Sequence, residues 1–177
     1  SISYMPLEKG FTKVCGMTNF SFEYPKLVGL DAYSNLWEGL KKACEFSEKS
    51  IKKNFEDFDY AYVHIKETDL PGHDNKPIEK KNMFEYIDKT FFKFLAGFAP
   101  PNKIKVIVTG DHSTPCKLKA HSADPVPVLL YNQSLSKSRL FGFSGFFNKK
   151  EETDGEKKSI KFSESEAKKG ELGSILG

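Results

Sequence analysis

Three short stretches collect the residues best suited to metal chemistry. "TDLPGHD" (68–74) carries Asp69 and His73, "TGDHSTP" (109–115) carries Asp111 and His112, and "KAHSADPVP" (119–127) carries His121. Imidazole nitrogen and carboxylate oxygen together suit zinc, manganese and related divalent ions. Five such groups are too many for one tetrahedral site that keeps an open position, so they point to two neighbouring ions. Two ions about 4 Å apart can activate a nucleophile and neutralise the oxygens of a phosphoryl group in transfer. A single Asp–His pair would be weak evidence, because an isolated histidine is more often a hydrogen-bonded structural residue. Three such loops in one chain change that weighting.

Asp69 and His73 stand at a helical spacing, yet Pro71 and Gly72 lie between them and argue against a continuous helix. The expectation is a tight loop in which Pro71 and Gly72 let the backbone turn sharply. His64 falls within an expected strand and reads as a packed core histidine with no ligand role. Ser113, directly after His112, reads as a loop hydrogen-bonding residue.

The elements that must hold these loops follow from periodicity. In residues 31–55, Leu36, Leu40, Ala43, Cys44 and Ile51 recur at helical spacing, with Asp31 or Ser34 as the cap. "DYAYVHIK" (59–66) has the β-branched and aromatic content of a buried strand. Pro77 suits the first turn of a second helix, whose stripe is Met83, Ile87, Phe91 and Leu95 and whose stop is Gly97 with Pro100 and Pro101. "KIKVIVTG" (103–110) reads as the clearest buried strand and "VPVLLY" (126–131) as another. This order predicts an α/β domain, a layered sheet with flanking helices and ligands at the loops beyond the strand ends. Residues 132–160 change character and read as a surface insertion with a partly mobile lysine- and glutamate-rich segment, with the alternative that Phe141, Phe143, Phe146 and Phe147 contact a partner or tuck under the fold. "SESEAKKGELGSILG" (163–177) reads as partly helical.

Composition narrows the function classes. A chain of 177 residues with 38% hydrophobic and 14% aromatic content is expected to fold as one domain with a real core. A net charge of +3, made of many lysines against nearly as many acids, reads as a mixed solvated surface, and no nucleic-acid partner is expected. Arg139 is the sole arginine, so a bidentate clamp on a doubly anionic substrate is not expected from this chain alone. Cys15, Cys44 and Cys116 are odd in number and widely spaced, which predicts reduced thiols in a cytoplasmic protein and no thiolate zinc site. Neither a membrane span nor a signal peptide is visible, and the chain opens on "SISYMPLEKG" as though in mid-sequence.

"VHIKETDLPGHD", "VTGDHSTP" and "HSADPVPVLLY", in this order, resemble the metal-binding motifs of the alkaline phosphatase superfamily, and within it the archaeal-type 2,3-bisphosphoglycerate-independent phosphoglycerate mutases. The resemblance extends to "KGFTKVCGM" near the start and "FSESEAKKGELGSILG" at the end, leaving out the 132–160 insertion. It implies that Asp69, His73 and His121 bind one metal, that Asp111 and His112 bind a second, and that Lys9 reaches the phosphate. It also implies two divalent ions, manganese first with magnesium, zinc or cobalt as alternatives, and no bisphosphoglycerate cofactor.

The implied reaction interconverts 3-phosphoglycerate and 2-phosphoglycerate through a serine nucleophile. That serine, a further aspartate ligand and the substrate-binding arginines belong to an upstream part with no counterpart in these residues. The chain is thus expected to be the C-terminal portion of an alkaline-phosphatase-like core, a partial domain over 1–177. Its partners would be a small phosphoglycerate substrate and the missing N-terminal part, and the isolated segment is expected to be inactive. Two alternatives stay open: a phosphatase or phosphodiesterase of the same superfamily, and a non-catalytic metal-binding module.

Overall fold

The longest element follows directly from the pattern in 31–55. In the computed structural model, which describes residues 1–26 and 31–132, Asp31 caps a helix over Ala32–Asn54 (α2) by accepting from the backbone N–H groups of Tyr33 at 3.1 Å and Ser34 at 3.0 Å. The cap satisfies two donors that the first helical turn leaves without partners. Gly39, Leu40, Ala43, Cys44 and Ser47 form its buried stripe. Gly39 is required by packing: a Cβ there would lie 2.1 Å from the Tyr24 hydroxyl. Before α2 in the chain, a helix over Pro6–Val14 (α1) starts with proline in its first turn and ends at Gly16, whose φ of 71° places it in the left-handed region. α1 is not among the elements expected from the sequence.

The chain divides into two compact units, Ser1–Phe91 and the residues from Phe92 onward. In the first, α2 packs against a helix over Pro77–Ile87, which becomes α4 once the short turn α3 at Leu70–His73 is counted. Leu40 and Met83 are fully buried, and burying a side chain of that size stabilises the fold by roughly 1.5–3 kcal/mol. Trp37 Nε1 donates to Glu79 Oε2 at 3.0 Å, and its ring meets Tyr86 edge-on at 6.1 Å. Proline begins α4, as expected, and Met83, Ile87 and Phe91 are all buried. Their four-residue spacing drifts by about 40° per step on an ideal α-helix. A π-helical turn over Asp88–Phe92 is wider and takes that drift back.

The strand expected at 59–66 is reduced to a single pairing. Ile2 bridges in parallel to Val63 and to Phe20, with Ile2 N–H donating to Tyr62 O at 2.7 Å and His64 N–H to Ile2 O at 3.3 Å. Residues 59–62 are exposed, so they have neither the ladder nor the burial that a strand needs.

The second unit begins with a helix over Lys93–Phe98 (α5), with Leu95 and Ala99 buried. After a turn at Lys103, φ 56°, the strands Val106–Thr109 (β1) and Val128–Tyr131 (β2) pair antiparallel, Val106 opposite Tyr131 and Thr109 opposite Val128. Both expected strands therefore exist but are shorter, and neither is buried on both faces: half-buried Val106 and Val108 alternate with exposed Ile107. Pro127 has no N–H to donate, so β2 starts after it. Helices with a small antiparallel sheet give the α/β class expected. The insertion and the terminal helical segment expected beyond Asn132 lie outside the described residues, and among those described no helix is long and apolar enough to cross a membrane.

Candidate metal centre

In the first unit, Asp69 is the N-cap of α3 and His73 its last residue, so the pair spans a helical turn and not the tight loop the sequence suggested. Gly72 N–H and His73 N–H both donate to Asp69 O, at 2.9 and 3.3 Å. Pro71 is tolerated because it occupies the first turn, where its missing N–H would have had no helical partner. Gly72 is not left-handed, so the backbone freedom invoked for it is not used. The turn closes instead at Asn75, whose φ of 51° is left-handed, with Lys76 N–H donating to Pro71 O at 2.8 Å and Asn75 N–H to Gly72 O at 3.2 Å. This pair of bonds is the Schellman closure, and asparagine is among the residues that tolerate it. Tyr33 of α2 ties the turn down, donating its hydroxyl to Asp74 Oδ2 at 2.7 Å while its ring carries the Lys76 ammonium at 3.5 Å.

The helical turn brings His73 Nε2 to 3.4 Å from Asp69 Oδ2, both side chains being partly exposed. Two residues upstream, Glu67 is buried; burial pushes its carboxyl above the ordinary glutamate range, against the pull of the Tyr4 hydroxyl that donates to it. Lys9 lies in the second turn of α1, half-buried, its carbonyl accepting from Thr12 Oγ1 at 3.2 Å. His64 is not a core histidine: it is half-buried and its Nδ1 pairs closely with the Glu8 carboxylate.

In the second unit, β1 ends at Thr109, and Gly110 then releases Asp111 and His112. His112 Nε2 stands 3.3 Å from Asp111 Oδ2, and its backbone N–H donates to Asp111 Oδ1 at 3.0 Å. Ser113 and Ser122 form an antiparallel bridge, with Ser122 N–H donating to Ser113 O at 3.0 Å. Ser113 thus has the loop hydrogen-bonding role expected of it, through its backbone. That single bridge joins the "DHST" and "HSAD" stretches and stacks the His112 and His121 rings, centroids 3.7 Å apart at 30°. Thr114, buried, was missed in the sequence; its Oγ1 lies 3.1 Å from His112 Nδ1.

The donor chemistry fits divalent cations. In each pair a ring Nε2 stands 3.3–3.4 Å from a carboxylate oxygen; in the tautomer with the proton on Nδ1 both atoms present lone pairs that one cation could share, whereas the Nε2–H tautomer would donate to the carboxylate instead. Both pairs remain partly open to solvent, and contacts that orient a ring through its other nitrogen, as Thr114 does, are typical of metal-binding histidines.

The family model described as the metalloenzyme superfamily matches residues 33–176. A 2,3-bisphosphoglycerate-independent phosphoglycerate mutase from Picrophilus torridus is 33% identical over 144 residues, covering 80% of this chain and 32% of that protein. The protein of the same name from Pyrococcus abyssi is 33% identical over 156 residues, covering 86% of this chain and 33% of that one. The solved structure of the PH0037 protein from Pyrococcus horikoshii superposes with a TM-score of 0.63 at 28% identity, over 97% of this chain and 43% of that chain. The chain spans about a third of the length of these curated relatives. With that match over most of its length, and with paired histidine and carboxylate donors in the loops it includes, the chain belongs to the metalloenzyme superfamily.

Proposed function

We propose that the whole protein to which this chain belongs interconverts 3-phosphoglycerate and 2-phosphoglycerate without a bisphosphoglycerate cofactor. The observation that carries the reading is the identity to proteins named as such mutases across the stretch that holds the three donor motifs. Asp69, His73 and His121 each offer one donor atom and would hold one divalent ion, manganese being the first candidate. Asp111 and His112 would contribute to a second. When bound, such ions lower the pKa of a hydroxyl nucleophile and offset charge on a transferring phosphoryl group.

The residues of this chain would do the holding. Thr114 would fix the His112 ring with Nε2 toward the ion, and the Tyr33 anchor on Asp74 would fix the turn that carries Asp69 and His73. Lys9 would offset charge on the substrate phosphate as a point cation. The serine nucleophile and the arginine clamp on the substrate would come from elsewhere in the protein, which accords with Arg139 being the sole arginine here. A glycolytic reaction of this kind would place the protein in the cytoplasm.

The test is an assay of the full-length protein with 3-phosphoglycerate and manganese. Accumulation of 2-phosphoglycerate supports the reading. Release of inorganic phosphate without isomerisation would make the protein a phosphatase of the same superfamily instead.

A further inference from the structure

One hydroxyl connects the start of the described chain to the turn that carries Asp69 and His73. Tyr4 Oη donates to Glu67 Oε1 at 2.6 Å and accepts from the backbone N–H of Lys66 at 3.3 Å. Lys66 O in turn accepts from Asp69 N–H at 3.1 Å, and Asp69 O accepts from Gly72 and His73. The bonds run without a break from Tyr4 through residues 66 and 67 into the helical turn. Glu67 is only 2% exposed, and two tyrosine hydroxyls, those of Tyr4 and Tyr24, face its carboxyl group. A carboxyl group buried this deeply costs stability even when hydrogen-bonded and needs a reason to be kept. Tyr4 is itself held in place: its ring lies 5.0 Å from Phe22 and 5.3 Å from Tyr24, and the adjoining Ile2 is bridged to both Phe20 and Val63.

We infer that Tyr4 and Glu67 are positioning residues for the Asp69–His73 pair, setting the angle at which the chain leaves residue 66 and hence where both donors point. The inference rests on the metal reading proposed above. Removing the Tyr4 hydroxyl takes a donor from Glu67 Oε1 and an acceptor from Lys66 N–H, and the junction before Asp69 loosens while the helical turn itself remains. Outer contacts of this kind change metal affinity by about 10- to 100-fold in other sites.

The test uses cobalt(II) on the full-length protein, read by binding titration and by its visible absorption spectrum, with melting temperature measured in parallel. Tyr4→Phe and Glu67→Leu are expected to weaken cobalt binding about 10-fold and to shift the absorption band. Glu67→Gln keeps a carbonyl acceptor for Tyr4 and is expected to bind as the unsubstituted protein does. Leu40→Val, away from these bonds, should lower the melting temperature and leave the spectrum alone. Unchanged binding and spectrum in Tyr4→Phe overturns the inference, as does equal loss in Glu67→Gln and Glu67→Leu. If Glu67→Leu does not fold, the comparison of Tyr4→Phe with Glu67→Gln decides. Absence of cobalt binding by the unsubstituted protein overturns the metal reading and this inference together, a result distinct from binding that is merely insensitive to Tyr4.

Discussion

Thr114 Oγ1 lies 3.1 Å from His112 Nδ1, on the side of the ring away from the Asp111 carboxylate. In the tautomer with the proton on Nδ1, that N–H donates to the hydroxyl and Nε2 keeps its lone pair for an ion. Thr114→Val preserves shape and removes the acceptor. Metal affinity of the second site should fall about 10-fold, measured by competition against a chelator of known affinity. An unchanged affinity would show that Thr114 does not orient the ring.

The α2–α4 contact should dominate the stability of the first unit. Met83 and Leu40 are each fully buried, so Leu40→Ala or Met83→Ala should cost about 2–5 kcal/mol in urea unfolding. A cost below about 1 kcal/mol would mean that the two helices do not share a packed core.

Glu67 makes stability depend on pH in a definite direction. Its carboxyl is held above the ordinary range by burial, so the folded state binds the proton more tightly than the unfolded state does. Its contribution is therefore most favourable below the unfolded-state value and is lost as pH rises through the folded-state value. Asp88 is raised by burial as well, although the Lys89 charge opposes the shift. Glu67→Gln abolishes its own share of this loss. The variant's stability advantage should grow from acid to neutral pH in parallel urea titrations, and a gap that is flat or shrinks with pH would contradict the assignment.

Asp31→Ala removes the acceptor for two N–H groups at the start of α2 and should cost about 1 kcal/mol. The Tyr33 anchor to Asp74 begins from the same turn, so amide exchange around Asp69–His73 should quicken in this variant. Exchange there at the original rate would show that the turn is held independently of the cap.

What the sequence showed and what it hid divide along physical lines. The helix after Asp31 and the stripe from Met83 to Leu95 were legible because apolar period and terminal residues agree: Leu40, Ala43 and Cys44 are buried as the period predicts, whereas Leu36 and Ile51 are only half-buried and the burial of Gly39 and Ser47 left no apolar signal. The segment at 59–66 was misread because β-propensity reports fitness for a sheet, while a strand also needs neighbours, and here Ile2 supplies one pairing only. The turn at Leu70–His73 was misread because proline's cost was counted as if it lay in a helix interior. The donor residues themselves were visible as letters. Thr114 and the Ser113–Ser122 bridge were not, because their roles arise only when two loops meet. The Tyr4–Glu67 bond spans 63 positions and leaves no local pattern at all.

The most direct measurement is the metal content of the full-length protein by elemental analysis, after chelation and reloading with manganese. Two divalent ions per chain are expected in the unsubstituted protein and about one after His73→Ala combined with His121→Ala. Two ions retained in that double variant, or none bound by the unsubstituted protein, would contradict the assignment of Asp69, His73 and His121 to a common metal.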